Sequence, residues 1–147
     1  MRLSALGLMF TLALGCLGVA PRAPEAQPAG KVWRVGFLEY TAIPVRSLPE
    51  AFRTELRNLG YVEGKNIALE FRSAEGVVDR LGALATELAR LPVDVIVATG
   101  SLAIRAAQQA TSTIPIVMMT TTNAVEQGFV ASLARPGGNI TGLAGLG

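Results

Sequence analysis

Two continuous apolar runs in the second half of the chain constrain its fold more than any other feature. They read VDVIVAT (residues 93–99) and IPIVMMT (residues 114–120), and after Asp94 neither run alternates between apolar and polar residues. A strand that is apolar on both faces has to be covered on both faces. Central strands of a parallel sheet with helices on either side meet this condition. The sequence therefore predicts an α/β fold.

Helix-like segments alternate with the strand-like ones along the chain. Residues 47–60 open with Ser47 and Glu50 in capping-box spacing and stop at Gly60, as expected of a helix. Further helices are predicted over residues 77–91, 101–112 and 124–138, and further strands over residues 32–39, 66–73 and 139–145. Five strands and four helices joined by right-handed crossovers predict an open parallel sheet, flanked by helices, with strand order 2-1-3-4-5.

The beginning of the chain has a different composition. Residues 1–26 contain an early Arg2 and then a stretch without charge from Leu3 to Ala20, which indicates a secretory signal peptide cleaved after Ala26. Residues 27–31 form a flexible junction, and residues 32–147 are the folded lobe. An uncleaved membrane anchor and lipidation at Cys16, within the lipobox-like ALGC, are the alternatives.

Composition excludes several classes of function. The chain of 147 residues has no histidine and a single cysteine, Cys16, so Ser-His and Cys-His nucleophiles and thiolate metal sites are excluded from the folded lobe. No glycine-rich phosphate loop with a lysine is present, and the basic residues are too dispersed for a nucleic-acid surface. We expect no catalytic activity, no metal, no cofactor and no nucleic-acid partner.

Polar residues follow the predicted strands where each strand ends. Ligands of open α/β sheets bind at these carboxyl ends. Glu39 and Ser73 lie at this edge too, but the predicted ligand-binding residues are Tyr40, Thr41, Thr99, Gly100, Ser101, Thr120, Thr121 and Thr122. Ser101 is predicted to cap the next helix, whose first amides would bind a carboxylate. The alternative is that these residues only cap a helix and end strands.

Four segments resemble a known family in order along the chain. They read GYVEGKNIALEFRSAEG, DRLGALATELARLPVDVIVATG, ATSTIPIVMM and GFVASLARPGGNITGL. Together they resemble the substrate-binding proteins of ABC transporters of the tryptophan/tyrosine-uptake type. The resemblance implies a type I periplasmic-binding-protein fold, of which residues 32–147 would be the N-terminal lobe of a truncated chain. It places the family's ligand-facing loops on the same predicted segments.

The resemblance also implies a function without chemistry. The expected role is the extracytoplasmic solute-binding component of an ABC importer, which binds an amino-acid-like molecule and delivers it to a permease in the membrane. Two departures from the family pattern, the bulkier EYTAIPVRS after the first strand and Asn123-Ala124 in place of Asp-Pro, affect which solute fits. The alternative is a single-lobe sensory or partner-binding module without a transport role.

Overall fold

A computed structural model describes residues 30–41 and 47–145 of the chain. The elements are β1 (Trp33–Glu39), α1 (Ser47–Asn58), β2 (Ile67–Ser73), α2 (Val78–Arg90), β3 (Val95–Thr99), α3 (Ser101–Ala110), β4 (Ile116–Thr122) and β5 (Ile140–Gly145). The predicted signal peptide, Cys16 and most of the predicted junction lie outside the described residues. Among the helices that are described, none is long and apolar enough to span a bilayer.

The five strands form one sheet in the order β2-β1-β3-β4-β5, and every neighbouring pair is parallel. The predicted α/β class and strand order are therefore confirmed. Because all strands run in the same direction, their carboxyl ends lie at one edge of the sheet. We call this the carboxyl edge.

Two apolar clusters cover the two faces of the sheet. On one face α2 and α3 pack over the strands, and this cluster contains the fully buried Leu38, Leu88, Ile96, Ile104 and Ile116. On the other face α1 contributes Phe52 and Leu56, which pack against Val35, Phe37, Ile67 and Val97. Burial of each large aliphatic side chain stabilises the fold by about 2 kcal/mol. The central strands are thus covered on both faces, as their continuous apolar sequences predict.

A register shift interrupts the pairing of β4 with β5 between Met118 and Thr121. Thr120, inside this irregularity, has a φ of 50°. Met118 faces the α2/α3 cluster, so simple alternation would direct Thr121 to the α1 face. The irregularity instead directs Thr121 toward α3, as a β-bulge does when it turns a side chain to the opposite face.

The predicted fourth helix over residues 124–138 is wrong. The chain makes a single helical turn that ends at Gly128, with a φ of 72°. The amide of Phe129 donates to the carbonyl of Ala124 at 3.0 Å, and that of Gly128 donates to Val125 at 2.9 Å. This pair of bonds is the Schellman arrangement that terminates helices, so the left-handed Gly128 stops the helix after one turn. Phe129 and Val130 are still buried in the core, because the irregular segment folds back over it.

Candidate functional site

The carboxyl edge brings residues of three strands into line. Glu39, the last residue of β1, pairs in register with Ser73 of β2 and with Thr99 of β3. Side chains of residues paired in this way lie on the same face of a sheet. Phe37, two residues before Glu39, belongs to the cluster beneath α1. Glu39, Ser73 and Thr99 therefore form a polar row on the α1 face, which we call the α1-side row.

A second polar group lies on the α3 side of the same edge. The hydroxyls of Ser101 and Thr121 form a hydrogen bond of 2.9 Å, and Thr121 is only 3% exposed. The side-chain amide of Gln127 donates to the carbonyl of Thr122 at 2.6 Å and lies 3.5 Å from the Thr121 hydroxyl. Sequence reasoning did not identify Gln127. Its position in the turn after β4 becomes informative only once that turn is known to fold back on the strand end.

The predicted role of Ser101 as a helix cap is wrong. Gly100 occupies the N-cap position of α3 with φ 83° and ψ 153°, and no side chain caps the helix. Ser101 is the first helical residue, and its hydroxyl bonds to Thr121 instead. The amide of Gly100 donates to the carbonyl of Met119 at 3.0 Å, which fixes the start of α3 against β4. The first turn of α3 consequently presents backbone amides that no side chain covers.

The loop after β1 is held at the same edge by its backbone. The carbonyl of Tyr40 accepts a hydrogen bond of 2.7 Å from the amide of Gly76, and the hydroxyl of Ser73 lies 3.4 Å from the carbonyl of Thr41. The Tyr40 side chain packs against the cluster beneath α2 and α3. Tyr40 and Thr41 therefore lie at the edge with the other predicted residues, with the ring of Tyr40 resting partly on the core.

The α1-side row contains two groups in unusual environments. The hydroxyl of Thr99 is buried and has no hydrogen-bond partner among the described residues. Burial raises the pKa of the Glu39 carboxyl above its ordinary value of 4.5, and a hydrogen bond with the Ser73 hydroxyl opposes this rise. Buried polar groups normally have hydrogen-bond partners. A buried hydroxyl without a partner and a carboxyl with a shifted pKa therefore mark this strand end as a candidate binding site.

The eight predicted ligand-binding residues thus lie in different environments. Thr99 lies on the α1 side, Ser101 and Thr121 form the bonded pair on the α3 side, and Gly100 joins the two. Thr120 and Thr122 are exposed. No group of three or more metal-ligating side chains occurs within the described residues.

Two cavities in the described part of the chain lie away from these residues. One of about 490 Å³ lies against the outer surface of α2, and one of about 230 Å³ lies between β5 and the segment before it. Neither is lined by the predicted binding residues. An open edge of a sheet has no opposite wall, so it does not form a cavity by itself.

The family model that describes the "ABC transporter substrate binding protein" matches residues 46–146. This chain belongs to that family. A tyrosine-binding protein of Clostridioides difficile strain R20291 is 36% identical over 93 residues, which are 63% of this chain and 27% of that protein. The family assignment confirms the resemblance drawn from the four sequence segments.

Solved structures of similar fold support the same assignment. A ligand-free, open substrate-binding protein with adhesive properties from Clostridium difficile has a TM-score of 0.73 at 26% identity, over 79% of this chain and 40% of that one. A conserved domain protein from Vibrio cholerae has a TM-score of 0.74 at 30% identity, over 79% and 40%.

A third structure shows likeness of fold alone. The ABC domain from Streptococcus pneumonia, in complex with L-Trp, has a TM-score of 0.72 at 23% identity, over 78% of this chain and 39% of that one. This chain spans about two fifths of the length of these solved relatives.

Proposed function

We propose that this chain is the first lobe of a receptor that binds an amino-acid-like solute for an ABC importer. Its family consists of substrate-binding proteins, and a relative with 36% identity is named for tyrosine binding. The signal peptide predicted over residues 1–26 implies an extracytoplasmic location, with the permease, or a lipid at Cys16, as the link to the membrane. The protein binds and delivers its solute, with no catalysis and no cofactor.

The ligand-binding residues are proposed to be those predicted at the carboxyl edge: Tyr40, Thr41, Thr99, Gly100, Ser101, Thr120, Thr121 and Thr122. The observation that carries this assignment is the amino end of α3, whose first turn has no side-chain cap. Backbone amides there, together with the helix dipole, favour a carboxylate. The hydroxyls beside them add neutral donors and acceptors.

Within the described residues, a solute bound at this edge meets one wall, the carboxyl edge itself. Closure of a second wall removes water from a ligand and adds contacts. We therefore expect weak binding by this lobe, so the test has to detect millimolar affinities.

The experiment is a titration of the isotope-labelled chain with L-tyrosine, L-tryptophan and the remaining amino acids, followed by backbone NMR. Shifts are expected at the amides of residues 99–103 and 120–123. The absence of shifts with every amino acid, or shifts confined to the opposite edge around Asp94, would contradict the proposal. That result would favour the single-lobe sensory or partner-binding module.

Two variants test whether the solute in this titration binds at the amino end of α3. Ser101→Asp places a carboxylate where the carboxylate of the solute is expected, and it also suits the amino end of a helix. We expect it to fold normally and to lose binding. Ser112→Asp introduces the same change at an exposed position just beyond the other end of α3 and should bind as the wild type does.

A further inference from the structure

Glu39 differs from the acidic residues of the lobe that form ion pairs. Five acidic side chains each form an ion pair with a lysine or arginine: Glu63, Glu70, Glu75, Glu87 and Asp94. In the part of the chain that the structure describes, no basic side chain forms an ion pair with Glu39. Its carboxyl is nonetheless partly removed from water. A partly buried carboxylate without a cation is unfavourable unless a partner arrives from outside.

The neighbours of Glu39 in the sheet are hydrogen-bonding groups. Ser73 on one side contributes a hydroxyl that opposes the rise in the pKa of Glu39 and whose oxygen also accepts a hydrogen bond of 3.2 Å from the amide of Glu75. Thr99 on the other side contributes the buried hydroxyl that has no partner within the described residues, although the Thr99 side chain as a whole is partly exposed. The α1-side row thus contains one carboxylate and two hydroxyl oxygens, of which the Thr99 oxygen is buried beside the other groups. An ammonium group, with three donors and no acceptor, matches this set.

The row is also adjacent to the place proposed for the carboxylate of the solute. Glu39 pairs directly with Thr99, and Gly100 at the amino end of α3 is the next residue of the chain. Neighbouring strands are about 4.8 Å apart. A single small molecule above the edge can therefore contact Glu39 and the first amides of α3 together.

We propose that Glu39, assisted by the hydroxyls of Thr99 and Ser73, binds the ammonium group of the ligand and so selects primary amines. This inference rests on the proposed function, because it assigns one end of the amino-acid-like solute to a particular side chain. The class of ligand that follows is a zwitterion, with its ammonium on the α1-side row and its carboxylate at the amino end of α3. An acid without an amine lacks the cation that Glu39 requires.

The test uses three matched probes on the full chain. L-Tyrosine carries both charged groups, tyramine lacks the carboxylate, and 3-(4-hydroxyphenyl)propionate lacks the amine. Dissociation constants are measured by NMR titration for the wild type, Glu39→Gln, Thr99→Val and the control Glu126→Gln. Glu126 is an exposed carboxylate in the turn after β4, so its replacement makes the same change of charge outside the row.

We expect Glu39→Gln to weaken tyrosine and tyramine at least about tenfold and to leave the propionate unchanged. Thr99→Val should weaken the two amines by a smaller factor, and Glu126→Gln should change nothing. Because no basic side chain of residues 30–41 and 47–145 forms an ion pair with Glu39, we expect Glu39→Gln to melt at or above the wild-type temperature. A clearly lower melting temperature would show that a cation of the protein itself pairs with the carboxylate and would overturn the inference.

The outcomes separate this inference from the proposed function. Equal binding of tyrosine by wild type and Glu39→Gln overturns the role of Glu39 and leaves the solute receptor intact. Glu39-dependent binding of tyramine without binding of any amino acid supports the amine site and overturns the amino-acid receptor. Failure of all three probes, and of every amino acid, overturns both.

Discussion

The hydroxyls of Ser101 and Thr121 illustrate how a polar group is accommodated inside the candidate site. Thr121 is almost fully buried, and burial of a hydroxyl without a partner is costly. Its hydrogen bond to Ser101 removes that cost and joins the end of β4 to the start of α3. The N-cap position of α3 is occupied by Gly100, so the amino end of α3 has no side-chain cap.

A double-mutant cycle of Ser101→Ala and Thr121→Val measures the free energy of the hydrogen bond between these two hydroxyls. We expect each single variant to be destabilised and the coupling free energy to be about 1 kcal/mol, the usual net value of such a bond. Chemical denaturation of the four proteins supplies the numbers. Additive effects of the two substitutions would show that the hydroxyls do not interact.

Asp94, the residue just before β3, has a role in pH-dependent stability. Its carboxylate accepts a hydrogen bond of 2.8 Å from the amide of Arg34 and lies 3.0 Å from the ammonium of Lys31. Both contacts lower the pKa of Asp94 from its ordinary value of 3.8, and the hydrogen bond from the Arg34 amide has the larger effect. The depressed pKa means that Asp94 stabilises the fold above about pH 3.8, and that this contribution is lost as the pH falls through the folded-state pKa.

We therefore expect Asp94→Asn to have a lower free energy of unfolding than the wild type at pH 7. Below pH 4, the free energy of unfolding of this variant should depend less steeply on pH. Urea unfolding from pH 7 down to pH 2.5 measures both effects. The control Glu126→Gln removes an exposed carboxylate of the turn after β4 and should keep the wild-type profile. A variant Asp94→Asn that parallels the wild type at every pH would contradict the prediction.

At the scale of elements, β5 is held against β4 by an unusually close backbone approach. Gly142 pairs with Met118 and has a φ of 134°. A Cβ at this position would overlap the backbone oxygen and nitrogen of Met118. Only glycine combines this conformation with so short a separation.

Gly142→Ala is expected to destabilise the lobe by at least about 2 kcal/mol, because the backbone of Met118 cannot move aside as a flexible side chain could. Gly138→Ala is the matched control in the same segment, since a Cβ there meets no atom within 4 Å and its φ is not positive. Thermal unfolding compares the two. Equal melting temperatures would show that β5 does not depend on Gly142.

Across the whole molecule, the strands of the sheet are buried from solvent to different extents. The side chains at the centre of β3 are fully buried, whereas β5 lies at the end of the sheet with Leu143 75% exposed. The segment that precedes β5 covers the core without being a helix. Stability should therefore decline across the sheet from β1 and β3 toward β5.

Amide hydrogen exchange tests this gradient. We expect the amides of β3 that pair with β1 to exchange at least about tenfold more slowly than those of β5 that pair with β4. The comparison is internal to one experiment, so it needs no variant. Equal protection of both strands would show that the lobe opens only as one unit.

The sequence by itself determined the class of the molecule and the order of its parts. Burial on both faces is indicated by the unbroken apolar runs at 93–99 and 114–120, and burial on one face by the amphipathic stripe of α2. Each pattern is a local property of the residues. Parallel crossovers then leave few topologies open, so the strand order and the edge where Thr99 and Ser101 lie could be predicted.

Only the tertiary structure decided the directions and partners of the side chains at that edge. The bulge at Thr120 turns Thr121 to α3, the left-handed Gly128 ends a helix that periodicity had extended, and Ser101 exchanges capping for a bond twenty residues away. Glu39 is partly removed from water, and no basic side chain in the described part of the chain forms an ion pair with it. Each of these depends on which groups approach from other elements, and side-chain periodicity along one element carries no information about them.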